Sequence, residues 1–139
     1  LVRHGETVWN ASRQIQGQSD SPLTDVGERQ AHLVAQRVRS QGITHIITSD
    51  LGRTRQTAKI IADACGLKMM TDPRLRELNM GVLETRPIES LTPEEEQWRK
   101  QMINGTEGGR IPEGESMAEL GQRMRAALDS CLELPAGSK

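Results

Sequence analysis

His4, Arg3, Arg53 and Glu77 are the side chains of this chain whose types suit the transfer of a phosphoryl group. A neutral imidazole can attack phosphorus and form a phosphohistidine, which splits one difficult displacement into two. Arg3 and Arg53 offer planar, permanently charged forks matched to phosphate oxygens. Placed beside His4, their charges lower its pKa, keep the ring neutral, and stabilise the charge that spreads over the equatorial oxygens. Glu77 can protonate the departing oxygen. Asn10, Gln16 and Gly17 lie in a polar loop, residues 3–22, long enough to fold over an anion, and Gly5 permits close backbone approach. The scheme requires no metal, and no Cys/His cluster with zinc spacing occurs.

These groups need a scaffold that gathers them. Leu1-Val2 reads as the end of a first strand running into Arg3-His4-Gly5. Thr24 can cap a helix whose apolar positions Ala31, Val34, Ala35 and Val38 follow helical spacing up to Gly42. Ile43 to Thr48 is β-branched and mostly apolar, as expected of a strand buried on both faces. After a turn at Ser49-Asp50-Leu51-Gly52, a second helix carries Ala58, Ile61, Ala62 and Cys65 and stops at Gly66. Leu67 to Thr71 reads as the next strand. Thr92-Pro93-Glu94-Glu95 and Ser116-Met117-Ala118-Glu119 are capping boxes that open two further helices. The last helix lines up Met117, Leu120, Met124, Leu128 and Cys131 as a core-packing face.

The order β-α-β-α-β-loop-α-loop-α implies an α/β fold: a three-layer α/β/α sandwich with a mostly parallel sheet, in one domain over residues 1–139, without internal repeat or linker. Ligands of such sheets bind beyond the carboxyl ends of the strands, where His4, Arg53, Arg55 and Glu77 would converge. The helix after Gly52 would point its N-terminus, with unpaired N–H groups, at the same rim. Two strand residues before Arg3 and no strand after Leu134-Pro135 suggest a larger domain trimmed at both ends.

Eighteen Lys and Arg against nineteen Asp and Glu leave a net charge of −1, which excludes a generic nucleic-acid binder. No stretch approaches the roughly 18–20 consecutive apolar residues of a membrane span, and no basic-then-apolar leader opens the chain. The reading is a cytoplasmic protein whose partner is a small phosphorylated metabolite, with neither nucleic acid nor membrane; nothing in the residues marks an oligomeric state. Cys65 and Cys131 read as buried free thiols. His32 and His45 read as surface or packing residues, and Glu94-Glu95-Glu96 as a run that favours its helix N-terminus. Arg99 and Lys100 are open between a solvated helix face and a grip on a substrate carboxylate. Asn104 to Gly109 reads as a mobile loop, and Glu115 and Ser116 could approach the pocket.

The motifs Leu1-Val2-Arg3-His4-Gly5-Glu6-Thr7, Gln16-Gly17, Ser49 to Ala58, Leu75-Arg76-Glu77 and Gly114-Glu115-Ser116 together resemble the histidine phosphatase superfamily, over nearly the whole chain. More narrowly, Gln16 to Thr24 and Arg76 to Glu84 are similar to its phosphoglycerate mutase family, the short enterobacterial members in particular. The resemblance implies that His4 is the phosphorylated nucleophile, that Arg3, Asn10 and Arg53 bind the phosphoryl group, and that Glu77 is the proton donor and acceptor. It implies substrate contacts from Gly5, Glu6, Thr7, Gln16, Gly17 and Arg55, and from Leu78, Asn79, Met80, Arg99 and Lys100. The implied reaction interconverts 2- and 3-phosphoglycerate, with 2,3-bisphosphoglycerate as phosphoryl donor. The alternatives are a broad-specificity phosphatase acting on small phosphomonoesters and an anion-binding module without catalysis, against which intact His4, Arg53 and Glu77 weigh. One departure stands out: the family's second catalytic His, in a Ser-His-Gly on a later central strand, has no counterpart before Lys139. The expectation is therefore an incomplete domain with an exposed core edge, its function belonging to the parent protein.

Overall fold

The computed structural model describes residues 1–105 and 108–134. Thr106, Glu107 and the segment from Pro135 onward, on which parts of the glycine-loop and C-terminal readings fall, lie outside the described residues. The elements are α1 (Val8–Ala11), α2 (Asp25–Arg39), β1 (Ile46–Thr48), α3 (Gly52–Cys65), β2 (Met69–Thr71), 3-10 turns at Pro73–Leu75, Gly81–Leu83 and Ile88–Ser90, then α4 (Pro93–Ile103) and α5 (Met117–Leu132). The fold is mixed α/β with a parallel sheet, β1 pairing β2 in the register Ile46 with Met69 and Thr48 with Thr71.

The helix boundaries follow their caps. The Thr24 hydroxyl accepts from Gly27 N–H at the start of α2. Complete capping boxes, Thr92 with Glu95 and Ser116 with Glu119, open α4 and α5. Gly66, at φ 68°, ends α3 in the left-handed conformation that costs glycine least. Each cap satisfies N–H or C=O groups that the helix itself leaves unpaired.

Small residues let α2 and α3 pack closely, through buried Ala31 and Ala35 on one and Ala58, Ile61 and Ala62 on the other. In turn α3 packs on both strands. A separate apolar cluster of Ile15, Leu83, Met102 and Ile111 sits beneath the irregular segments, flanked by Leu78, Met80, Ile88, Leu91 and Trp98. Truncating a fully buried member such as Leu83 or Met102 to Ala would cost about 2–5 kcal/mol. This cluster fixes the segments around residues 15 and 78–83 in the absence of regular structure there.

Four sequence readings are corrected. Leu1-Val2 forms no strand: Leu1 is fully exposed and the segment joins no ladder, so its backbone gains nothing by being extended. It lies instead along an apolar groove of about 400 Å³, with Ile46 and Ile47 of β1, Val38, Ile61 and Met124 among its walls. The strands are also shorter than expected, and β1 is only half-buried, because α3 covers one face and the groove opens beside it. The apolar face of α5 is largely uncovered: Ala127 alone is buried, while Leu128 is 57% exposed. That helix is held by polar contacts, Arg74 donating to Ala126 O and to Ser130 Oγ, each at 3.0 Å. Finally, Cys65 and Cys131 are free, as read, but only partly buried, because each helix face is incompletely covered.

Candidate active site

The segment after Val2 carries Arg3 and His4 past the first turn of α2. A Cβ added to Gly5 would lie 2.3 Å from Gly27 O, and one added to Gly27 would lie 2.0 Å from Glu6 O. The two backbones thus cross with no room for side chains. Glu6 secures the crossing: its carbonyl accepts from Thr24 N–H, its carboxylate accepts from the Thr24 hydroxyl at 2.7 Å, and its N–H donates to Gln30. Gly5 N–H donates to Thr57 Oγ1 at 3.1 Å, and that hydroxyl donates to Arg53 O at 2.8 Å. One buried hydroxyl therefore connects the backbone beside His4 to the backbone of Arg53.

His4 is half-buried, with Nδ1 2.7 Å from Gly5 O. A carbonyl only accepts, so Nδ1 carries the proton, and Nε2 of the neutral ring keeps its lone pair. Burial, with the charges of Arg53 and Arg3, holds the imidazole below its ordinary pKa against the opposing effects of the Gly5 hydrogen bond and the Glu77 carboxylate. Arg3, Arg53 and Glu77 are thus all close enough for their charges to act on the ring.

Arg53, on the first turn of α3, is 1% exposed. Nη1 donates to Ser19 O at 2.8 Å and to Asp20 Oδ1 at 3.2 Å, and Nη2 donates to Gly17 O at 2.7 Å. Nε has no partner, the one buried side-chain N or O atom so placed among the described residues. A buried orphan donor costs free energy unless something fills it, and an anion would.

The loop over this guanidinium is built by α1, a helix missing from the sequence reading. Thr7 caps it: Asn10 N–H donates to Thr7 Oγ1, and Thr7 N–H donates to Asn10 Oδ1, each at 3.1 Å. The Thr7 hydroxyl then donates to the buried Gln16 amide oxygen at 3.0 Å. Glu84 closes the far side, its carboxylate accepting from Gln18 N–H and Ser19 N–H at 2.7 Å, from Ser19 Oγ at 2.6 Å and from Met80 N–H at 3.1 Å. Loop 16–19 is thereby tied to the segment that carries residues 77–80.

In that segment Glu77 is exposed, its Oε1 accepting from Leu78 N–H at 2.8 Å. Leu78 and Met80 pack against the Ile15 cluster, and Asn79 Oδ1 accepts from Gly81 N–H. Arg76 forks onto Asp50 at the end of β1, and that guanidinium holds the Asp50 carboxyl below the usual range. Arg55 is exposed, and its charge also acts on Asp50. Arg99 and Lys100 both pair with Glu96 of their own helix, Arg99 bidentately at 2.6 and 2.8 Å. Glu115 reaches Asn79 N–H, whereas Ser116 is the α5 cap. Asp20, Glu84, Gln18 and Arg123 were not found from sequence; the partners that tie them to the site, Arg53, Gln18 and Glu77, lie 33 to 66 residues away, with no local spacing to mark them.

A match to the family description "Histidine phosphatase superfamily (branch 1)" spans residues 1–139. The chain belongs to the histidine phosphatase superfamily. Curated members of this superfamily include a protein of Yersinia enterocolitica named "Probable phosphoglycerate mutase GpmB", 96% identical over all of this chain and 65% of its own length, and a Yersinia pestis protein of the same name at 87%. The chain therefore spans about 65% of the length of these relatives. Among solved structures, Bacillus stearothermophilus YhfR matches with TM-score 0.90 and 29% identity over 98% of this chain and 67% of its own. A mycobacterial glucosyl-3-phosphoglycerate phosphatase matches with TM-score 0.84 and 28% identity, over 96% and 66% respectively. In this superfamily member, among the described residues, no group of three or more His, Cys, Asp or Glu side chains is placed to hold a metal ion, and no helix is long and apolar enough to cross a membrane.

Proposed function

We propose that the whole protein to which this chain belongs is a cytoplasmic, metal-independent phosphoglycerate mutase, with residues 1–139 forming part of one histidine-phosphatase domain. The observation that carries the phosphoryl-transfer reading is the buried Arg53 Nε, a donor without a partner, on a guanidinium whose charge acts on a half-buried His4, where the Nδ1 hydrogen bond leaves Nε2 as the nucleophilic nitrogen. That arrangement fits an anionic phosphoryl group at the site. His4 Nε2 attacks phosphorus, the bond to the ester oxygen breaks, and Glu77 delivers its proton to that oxygen. Arg3, Arg53 and the Asn10 amide N–H groups hold the phosphoryl oxygens as charge redistributes. Glu77 then takes the proton of the glycerate's other hydroxyl as that oxygen receives the phosphoryl group from His4. With permanent charge supplied by arginine, the scheme needs no metal. 2,3-Bisphosphoglycerate would be the ester that His4 attacks in this way; the monophosphoglycerate left behind, or one that replaces it, then offers the free hydroxyl that receives the group.

The names of the curated relatives support the mutase over the alternatives. Arg99 and Lys100, proposed to grip the substrate carboxylate, would have to release Glu96 to do so. Of the remaining contacts proposed, for Gly5, Glu6, Thr7, Gln16, Gly17, Arg55, Leu78, Asn79 and Met80, Arg55 would act through its exposed guanidinium, whereas the Thr7 hydroxyl is already bound to the Gln16 amide oxygen. The second reading is a phosphatase, favoured by the likeness to the mycobacterial glucosyl-3-phosphoglycerate phosphatase. The two diverge after the phosphoenzyme forms, when either glycerate or water meets it. Phosphorus NMR of the full-length protein with 3-phosphoglycerate, with and without catalytic 2,3-bisphosphoglycerate, separates them. Appearance of 2-phosphoglycerate is expected; inorganic phosphate alone selects the phosphatase, and an unchanged spectrum with either addition rejects both.

A further inference from the structure

Glu77 sits on a segment, residues 76–80, that belongs to no helix or strand, and its side chain is exposed. A proton donor must nevertheless be aimed, because a misplacement of about 1 Å can lower a rate by about 100-fold. Among the groups that hold this segment, one guanidinium on another element makes two bonds to it and one to Arg74 just before it.

Arg123, on α5, donates from Nη1 to Arg74 O at 2.8 Å and to Arg76 O at 2.6 Å, and from Nη2 to Glu77 O at 2.8 Å. Its remaining N–H groups meet Glu115, Nε to Oε2 at 2.9 Å and Nη2 to Oε1. All five guanidinium donors are therefore used, three on carbonyls of the segment leading to the acid and two on one carboxylate. Glu115 is itself bound to the far end of that segment: Oε1 accepts from Asn79 N–H at 2.8 Å, and Glu115 N–H donates to Asn79 O at 3.1 Å. Both partners are well shielded, with side chains 20% and 14% exposed. Gln18 adds a weaker hold, Nε2 to Glu77 O at 3.2 Å.

We infer that Arg123, braced by Glu115, is a positioning residue for Glu77: it clamps the backbone on both sides of the acid and so directs the carboxyl group at the departing oxygen. The inference rests on the proposed role of Glu77 as proton donor. A Lys at position 123 keeps the charge but offers three donors from one nitrogen, so it cannot span carbonyls and carboxylate together.

The test exploits leaving groups, using full-length protein and single-turnover release on two phosphomonoesters. The alkoxide leaving from 3-phosphoglycerate needs a proton, whereas the phenolate leaving from p-nitrophenyl phosphate does not. Arg123→Ala is expected to slow release from 3-phosphoglycerate by about 100-fold while slowing nitrophenolate release less than about threefold, with KM for both nearly unchanged. Arg123→Lys and Glu115→Gln should show the same contrast at smaller size, which covers the case in which Arg123→Ala does not fold. Glu77→Gln is the reference and should show the largest contrast. Equal losses on both esters in the Arg123 and Glu115 variants, alongside a strong contrast in Glu77→Gln, overturn the positioning role and leave Glu77 in place. Absence of the contrast in Glu77→Gln removes the proton-donor reading and this inference with it.

Discussion

Arg53 and Asp20 meet at 3.2 Å, the guanidinium 1% and the carboxylate 32% exposed. Together with Ser19 O on Nη1 and Gly17 O on Nη2, the pair fixes both Nη nitrogens, while the buried Nε keeps no partner. Asp20→Ala should destabilise the full-length protein by about 2 kcal/mol, less than a fully buried pair because water reaches the carboxylate. Phosphate affinity should also fall as Arg53 loses its orientation. Chemical denaturation and phosphate titration followed by phosphorus NMR read the two effects, and an unchanged phosphate affinity would count against the orienting role.

His4 gives a pH dependence with a defined sign. Its folded-state pKa lies below the ordinary 6.5 through burial and the Arg53 and Arg3 charges. The unfolded chain binds the proton more readily, so stability from neutral His4 is present above about pH 6.5 and is lost as pH falls through the lower folded value. The acid limb of kcat/KM should have its midpoint below 6.5 for the same reason, since attack needs the neutral ring. Arg3→Ala should move the imidazole titration upward in proton–nitrogen NMR; a downward or absent shift refutes the electrostatic account.

Thr57 joins the two halves of the site through one hydroxyl. Thr57→Val removes it at constant shape and leaves the buried Gly5 N–H without an acceptor, a loss of about 2 kcal/mol. Thr57→Ser should recover most of that stability. Thermal melts of the two variants decide, and a larger loss in Thr57→Ser than in Thr57→Val would mean that the methyl group, not the hydroxyl, matters.

Glu84 gathers four donors from two segments. Glu84→Gln keeps the shape but replaces one acceptor oxygen with a donor, and charge-assisted bonds become neutral ones. Amide hydrogen exchange at Gln18, Ser19 and Met80 should accelerate by about tenfold or more, in step with a loss of over about 1.4 kcal/mol in local opening. Unchanged exchange at Ser19 would show that Arg53 holds the loop unaided.

Where a signal was local, it was legible. The hydroxyls of Thr24, Thr92 and Ser116 fixed three helix starts and Gly66 one end, because each acts within three residues of itself. The convergence of His4, Arg53 and Glu77 is an expectation from strand ends and a family likeness; the structure adds that the Arg53 and Glu77 charges act in opposite directions on the imidazole pKa. Pairings at long range were not: nothing in the spacing of Arg123, Glu84 or Asp20 marks a carbonyl or a loop dozens of residues away. Periodicity also overstated burial on α5, since an apolar stripe records what a helix can cover and not what lies opposite Leu128.

The crossing of Gly5 and Gly27 carries a mechanical consequence. With backbone against backbone, no side chain stands between the two segments to rotate and absorb a displacement. A tilt of α2 must therefore reach His4 almost undiminished, so any force applied to the outer face of that helix is also applied to the imidazole.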